Sequence, residues 1–178
     1  MVKLCVYISM ELEGVTNVRP ADDDYEYFFT VQCSSCREVH PKTVSFNQKE
    51  QREISGSKGT ANFVWRCTNC KKEHSATFLP SDPSPKSKSK STAPISYTDL
   101  DSSNLKPFIS VDCRGLEFTQ FHFHGRWLAA PSGSESGKEF EIDWDELAKE
   151  GEERWDDYDE DKGEAVSISE LKSEIKRI

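Results

Sequence analysis

Long apolar runs are missing from this chain: no stretch approaches the roughly 20 apolar residues that span a bilayer, which argues against a membrane-spanning helix. The opening segment Met1-Val2-Lys3-Leu4-Cys5-Val6-Tyr7-Ile8 has no apolar stretch long enough for a secretory signal, and neither end carries a lipidation signal. Catalytic signatures are missing as well. There is no serine-centred nucleophile elbow, no glycine-rich phosphate cradle and no HExxH zinc motif. Hydrophobic residues are scarce, 35% of the chain against 31% charged, so part of its 178 residues is loop or solvated surface rather than core. Basic charge is short too. The formal net charge is −9 and the pI about 5.0, whereas a nucleic-acid-binding ribbon needs a basic face for phosphate. Nucleic acid and membrane are therefore not expected partners, and a soluble, cytoplasmic protein, with the nucleus also open to it, is expected.

What the chain does hold is cysteine in a pattern. Two clips, Cys33-Ser34-Ser35-Cys36 and Cys67-Thr68-Asn69-Cys70, can each wrap a tight turn around one metal edge. Brought together, they supply four thiolates in the tetrahedral set that zinc accepts at about 2.3 Å per sulfur. The clips also match beyond their cysteines: a basic residue, Arg37 or Lys71, follows the second thiol, and a histidine, His40 or His74, stands four positions after it. Tyr27-Phe28-Phe29-Thr30-Val31 and Phe63-Val64-Trp65 precede them and suit strands, so each clip reads as a hairpin-type zinc knuckle. Backbone N–H groups in such turns point at the thiolates, and Arg37, Lys71 and Lys72 offset the −2 charge of a four-thiolate zinc. A thioredoxin-like dithiol needs one C-x-x-C at a helix N-terminus, and here there are two beside strands. Disulfides need an oxidising compartment. His40 and His74 are alternative ligands, although four thiolates already close the tetrahedron, which leaves no position to activate water.

An internal repeat shapes the organisation. Ile8-Ser9-Met10-Glu11-Leu12-Glu13-Gly14-Val15 aligns with Ile109-Ser110-Val111-Asp112-Cys113-Arg114-Gly115-Leu116, each a half-buried strand reaching a glycine that relaxes the backbone. The expectation is one zinc-binding domain over 1–178, made of two pseudo-symmetric β-rich halves, about 1–79 and 105–178. A Pro/Ser/Lys-rich loop, 80–104, joins them. Strands are predicted over 3–15, 25–32, 39–46, 61–66, 73–79, 107–116, 118–128, 138–142 and 165–168. Short helices are predicted only over 145–153 and 169–177, the second with Ser169 as N-cap. The fold class is all-β, a sandwich- or barrel-like core with little helix.

Thr16-Asn17-Val18-Arg19-Pro20, the two clips, Gly56-Ser57-Lys58-Gly59-Thr60-Ala61, Cys113-Arg114-Gly115-Leu116-Glu117 and Trp155-Asp156-Asp157-Tyr158-Asp159-Glu160 occur in this order along the chain. With them the sequence resembles the eukaryotic CXXC-motif-containing zinc-binding proteins over nearly its whole length. The resemblance implies a β-rich fold of two pseudo-symmetric halves and one Zn2+ held by Cys33, Cys36, Cys67 and Cys70, the same four that the spacing proposes. It assigns no reaction. The Ser/Lys-rich stretch Lys86 to Ser91 and Phe121-His122-Phe123-His124 lie outside the resemblance and inherit nothing from it.

The remaining polar and aromatic residues have plainer expectations. Arg19 and Arg114 are expected in structural ion pairs, and Cys5 and Cys113 as buried, inert thiols. His122 and His124 project from one strand face by period-two geometry and need a third ligand to make a second metal site. Residues 139–164 hold 14 acidic side chains against Lys149, Arg154 and Lys162, among which Trp144, Trp155 and Tyr158 are expected to tuck onto the core. These residues point to a monomeric, non-enzymatic protein-interaction or adaptor module with a structural four-cysteine zinc site and an acidic surface for a protein partner. The alternative is a metal- or redox-handling protein with exchangeable zinc thiolates.

Overall fold

Alternating apolar and polar residues run through most of the chain, and in the computed structural model, which describes residues 1–133 and 137–178, they form strands. The first are β1 (Val2–Glu13), β2 (Val15–Pro20), β3 (Tyr27–Cys33) and β4 (Val44–Phe46), followed by the two-residue β5 (Arg52–Glu53) and β6 (Thr60–Ala61). Next come β7 (Phe63–Arg66), β8 (Glu73–Leu79), β9 (Lys106–Arg114) and β10 (Leu116–His122). The chain closes with β11 (Arg126–Pro131), β12 (Phe140–Asp143), helix α1 (Trp144–Lys149), β13 (Trp155–Asp159) and β14 (Glu164–Arg177). The fold is all-β, as expected from the sequence.

A six-stranded antiparallel sheet in the order β13-β14-β1-β9-β8-β7 curls over two three-stranded sheets, β10-β3-β4 and β12-β11-β2. Their inner faces share one apolar core. Strand β3 shows the rule most plainly: Tyr27, Phe29, Val31 and Cys33 are buried while Phe28, Thr30 and Gln32 are not. At the centre Trp127 stacks on Phe108 at 5.4 Å and donates its indole N–H to the Tyr25 hydroxyl at 3.0 Å, so the one polar atom of a fully buried ring is satisfied. The two copies of the sequence repeat end alike. Strand β1 breaks at Gly14 (φ 70°) and β9 at Gly115 (φ 83°), and in each case a new strand begins at the next residue.

Several expectations change. Residues 169–177 are strand, not helix, and Ser169 caps nothing: they continue β14 and pair with β1 from Ser9↔Lys172 to Leu4↔Arg177. Glu, Leu and Lys favour helix locally, but burial alternates strictly from Ser169 to Ile175, and the β1 edge offers a ladder that a helix could not use. The stretch 39–46 is strand only from Val44, with Val39 in a lone bridge to Gln32, because Pro41 lacks the N–H a ladder needs. Residues 118–128 split at Phe123–Gly125 into β10 and β11. Trp144 and Trp155 are buried, whereas Tyr158 stays 52% exposed. Arg19 pairs with Glu139, whereas Arg114 makes no ion pair among the described residues. Residues 80–104 contain no strand, yet they pack back: Tyr97 is fully buried and its hydroxyl donates to the carbonyl of Asn104 at 2.7 Å.

Candidate metal centre

Each clip is built by the same turn. In the first, Arg37 N–H donates to Cys33 C=O at 2.9 Å and Cys33 N–H to Glu38 C=O at 2.9 Å; in the second, Lys71 donates to Cys67 at 2.9 Å and Cys67 to Lys72 at 3.0 Å. The residue before each clip clamps it from outside. Gln32 Nε2 donates to Arg37 C=O at 3.0 Å and Arg66 Nη1 to Lys71 C=O at 2.9 Å. Arg37 (φ 66°) and Lys71 (φ 64°) are left-handed, which costs an L-residue about 1–2 kcal/mol each.

The clips arise on different sheets. Cys33 ends β3, while Cys67-Thr68-Asn69-Cys70 is the turn between β7 and β8. Folding interleaves them: Cys33 Sγ lies 3.6 Å from Cys70 Sγ, and Cys36 Sγ 3.6 Å from Cys67 Sγ. All four sulfurs are within 4.8 Å of one another. A tetrahedron with metal–sulfur bonds of about 2.3 Å has edges of about 3.8 Å. The spacing therefore fits zinc, and it is far beyond the about 2.05 Å of a disulfide, in keeping with six free cysteines. Cys33 and Cys67 are buried; Cys36 and Cys70 are partly open.

The thiols influence one another. The Asn69 side chain, aided by the Glu38 backbone, stabilises the Cys36 thiolate and pulls its pKa down to about 6. At Cys70 the Lys72 backbone also favours the thiolate, but burial and the three neighbouring sulfurs together push the thiol up to about 11. Like charges resist ionising together, and a dication at the centre reverses that order.

Behind Cys33 stands His74. Its Nε2 lies 3.1 Å from Cys33 Sγ, and burial followed by the Lys72 charge lowers its pKa and favours the neutral ring; the tautomer with hydrogen on Nε2 is the one that can donate to a Cys33 thiolate. Gly115 makes room for it: a Cβ there would sit 2.1 Å from His74 Nδ1. Gly115 C=O also accepts from Ser34 N–H at 3.0 Å, which ties the β9–β10 turn to the first clip. His40 stands outside the sulfur cluster, edge-on to Trp65 with ring centroids 5.6 Å apart.

Residues 5–176 match the family model described as CXXC motif containing zinc binding protein, eukaryotic. The chain belongs to this family. It is 36% identical to the UPF0587 protein C2D10.03c of Schizosaccharomyces pombe, over 99% of each chain. It is 30% identical to the Homo sapiens CXXC motif containing zinc binding protein, over 96% of each. The crystal structure of C1orf123 superposes with a TM-score of 0.79 at 28% identity over 99% of both chains. A hypothetical protein from Plasmodium falciparum gives 0.75 at 25% identity, over 99% of this chain and all of the other. Zinc is the cofactor that the family and the sulfur spacing both support.

Sequence reasoning did not reach four of the supporting residues. Asn69 lies inside the second clip but reaches Cys36 of the first only through tertiary contact, as Gly115 reaches His74, although the repeat had singled out Gly115 as a backbone special. Gln32 and Arg66 carried a readable signal: a long polar side chain stands immediately before each clip.

Proposed function

We propose that Cys33, Cys36, Cys67 and Cys70 hold one Zn2+ as a closed structural clamp between two sheets, and that the protein acts as a non-enzymatic interaction module. The convergence of four sulfurs from β3 and from the β7–β8 turn carries this reading. Four thiolates fill a tetrahedron and leave water no ligand position, so the ion contributes stability rather than Lewis-acid chemistry. The magnitude supports it: structural zinc is worth roughly 10–16 kcal/mol of apparent binding energy, against about 5–15 kcal/mol of net stability for a typical domain.

The interaction surface is the acidic stretch around β13. Asp156, Asp157, Glu160 and Asp161 are exposed, and among the described residues only Asp156, with Arg154, and Asp161, with Lys138, stand in ion pairs. Such a face suits a basic protein partner. Stripping zinc with a chelator should abolish the near-ultraviolet CD signal, and readdition should restore it. An unchanged β-sheet signal and urea midpoint after stripping would reject the clamp. Neutralising Asp156, Asp157, Glu160 and Asp161 to their amides should remove captured partners and leave zinc content unchanged; partners retained by that variant would reject the acidic face.

The partial exposure of Cys36 and Cys70 favours one second reading, exchange of zinc with another protein. Transfer of radiolabelled zinc to a thiol acceptor within minutes, with the fold intact, would support exchange over the clamp.

A further inference from the structure

The pair His122 and His124 stands apart from everything above. Register places Leu116 opposite Cys33 and His122 opposite Phe28, so six residues of β10, about 20 Å at strand rise, separate the pair from the sulfur cluster. We infer that His122 and His124 form a second, solvent-facing metal site for an imidazole-preferring divalent ion such as Ni2+, Cu2+ or Zn2+.

Three observations carry this. First, each imidazole is already held through one nitrogen, which leaves the other for an ion. His122 Nε2 lies 2.8 Å from Thr30 Oγ1, and His124 Nδ1 lies 2.7 Å from Asp145 Oδ1. A carboxylate on the far nitrogen is the arrangement that orients metal-binding histidines and raises their basicity. Second, both rings line one open groove of about 520 Å³, together with Gln120, Lys172 and Ser173, so solvent reaches the ligands and can complete the coordination sphere. Third, the ring centroids are 6.4 Å apart. Nitrogens about 2.0–2.1 Å from a shared ion bring the centroids of neighbouring ligands to about 4.5–5.2 Å, so closure needs a shift of about 1–2 Å. The shift has to come from small ring and backbone adjustments that keep both anchoring contacts, with His124 also packed on Phe28 at 4.4 Å between ring centroids.

The donor set fixes the ion class. Two imidazoles backed by one carboxylate suit borderline transition metals, whereas Mg2+ and Ca2+ take oxygen ligands. Asp145 holds His124 through Nδ1 and also accepts from Gly125 N–H at 3.2 Å, which fixes its carboxylate behind the ring. It acts as a positioning residue and does not itself bind the ion.

Nickel titration of the zinc-loaded protein, followed by 15N NMR and calorimetry, tests the site. One additional Ni2+ per chain is expected, with paramagnetic broadening centred on residues 122–125 and reaching Phe28, Thr30 and Asp145. His122→Asn and His124→Asn should each abolish it. Asp145→Asn should weaken nickel binding about 10- to 100-fold without moving the broadening to other residues. Broadening centred on His40 or on the cysteine clips of the unaltered chain, or nickel affinity unchanged in either histidine variant, would overturn the inference. The unaltered chain decides this alone should a variant fold poorly.

Discussion

Replacing Gly115 by alanine tests whether the β9–β10 turn supports the metal centre. Two terms act on stability. An L-residue at φ 83° costs about 1–3 kcal/mol. The added Cβ meets His74 Nδ1 at 2.1 Å and Cε1 at 2.8 Å, closer than real Cβ contacts allow. The ring cannot step aside freely, because it is only 7% exposed and its Nε2 holds Cys33 Sγ. Overpacking of this kind costs about 1–3 kcal/mol. The expected total is about 2–6 kcal/mol, read as a lower urea midpoint for the zinc-loaded protein. Because the strain falls on the histidine behind a thiolate, zinc affinity should fall about 10- to 100-fold in a chelator competition. Gly14→Ala is the control. Its Cβ would meet Val166 Cγ1 at 2.8 Å at φ 70°, so it should destabilise comparably and leave zinc affinity alone. In the double variant Gly115→Ala/His74→Ala the overlap disappears and only the backbone term remains, so the two changes should be non-additive by about 1–3 kcal/mol. Additive losses, or a Gly115→Ala protein with full zinc affinity, would refute the reasoning.

Two further outcomes follow from the fold. Trp155→Ala should cost about 3–5 kcal/mol in urea unfolding because it empties a buried ring site, whereas Tyr158→Ala three residues away should stay within about 0.5 kcal/mol. Burial pushes the Cys113 thiol from 9.0 up to about 12 and the Tyr25 phenol from 10.0 up to about 12, so both remain neutral in the fold while the unfolded chain ionises first. Stability is therefore full below pH 9 and declines between pH 9 and 12, by at most about 1.4 kcal/mol per pH unit for each group. Unfolding curves at pH 8, 9 and 10 should show this slope, and Cys113→Ala should flatten its lower part.

The cysteine cluster was the most legible feature of the chain because its signal is local. Two C-x-x-C spacings, a matched basic residue and strand-like approaches all lie within short windows, and each window closes its own turn with its own backbone hydrogen bonds. The β-rich class was legible for a similar reason, since period-two burial is written residue by residue in β3 and β11. Residues 169–177 were not. Leu171 and Ile175 lie four apart and satisfy helical and extended spacing equally, and the choice rested on a strand more than 150 residues upstream. Tyr158 misled for a related reason. Its neighbour Trp155 faces the core from the same edge strand, and no composition rule says which ring of an edge strand faces in.

Read alone, the sequence determined the β-rich class, the four thiols and their grouping in pairs, because chain spacing and side-chain alternation act over a few residues. Only the tertiary structure decided that Cys33 meets Cys70 and Cys36 meets Cys67, that His74 rather than His40 backs a thiolate, and that Asp145 reaches His124. Each of these joins residues 21 to 41 positions apart. Such contacts depend on how sheets stack and which glycine leaves room between them, and one short window of sequence does not encode that.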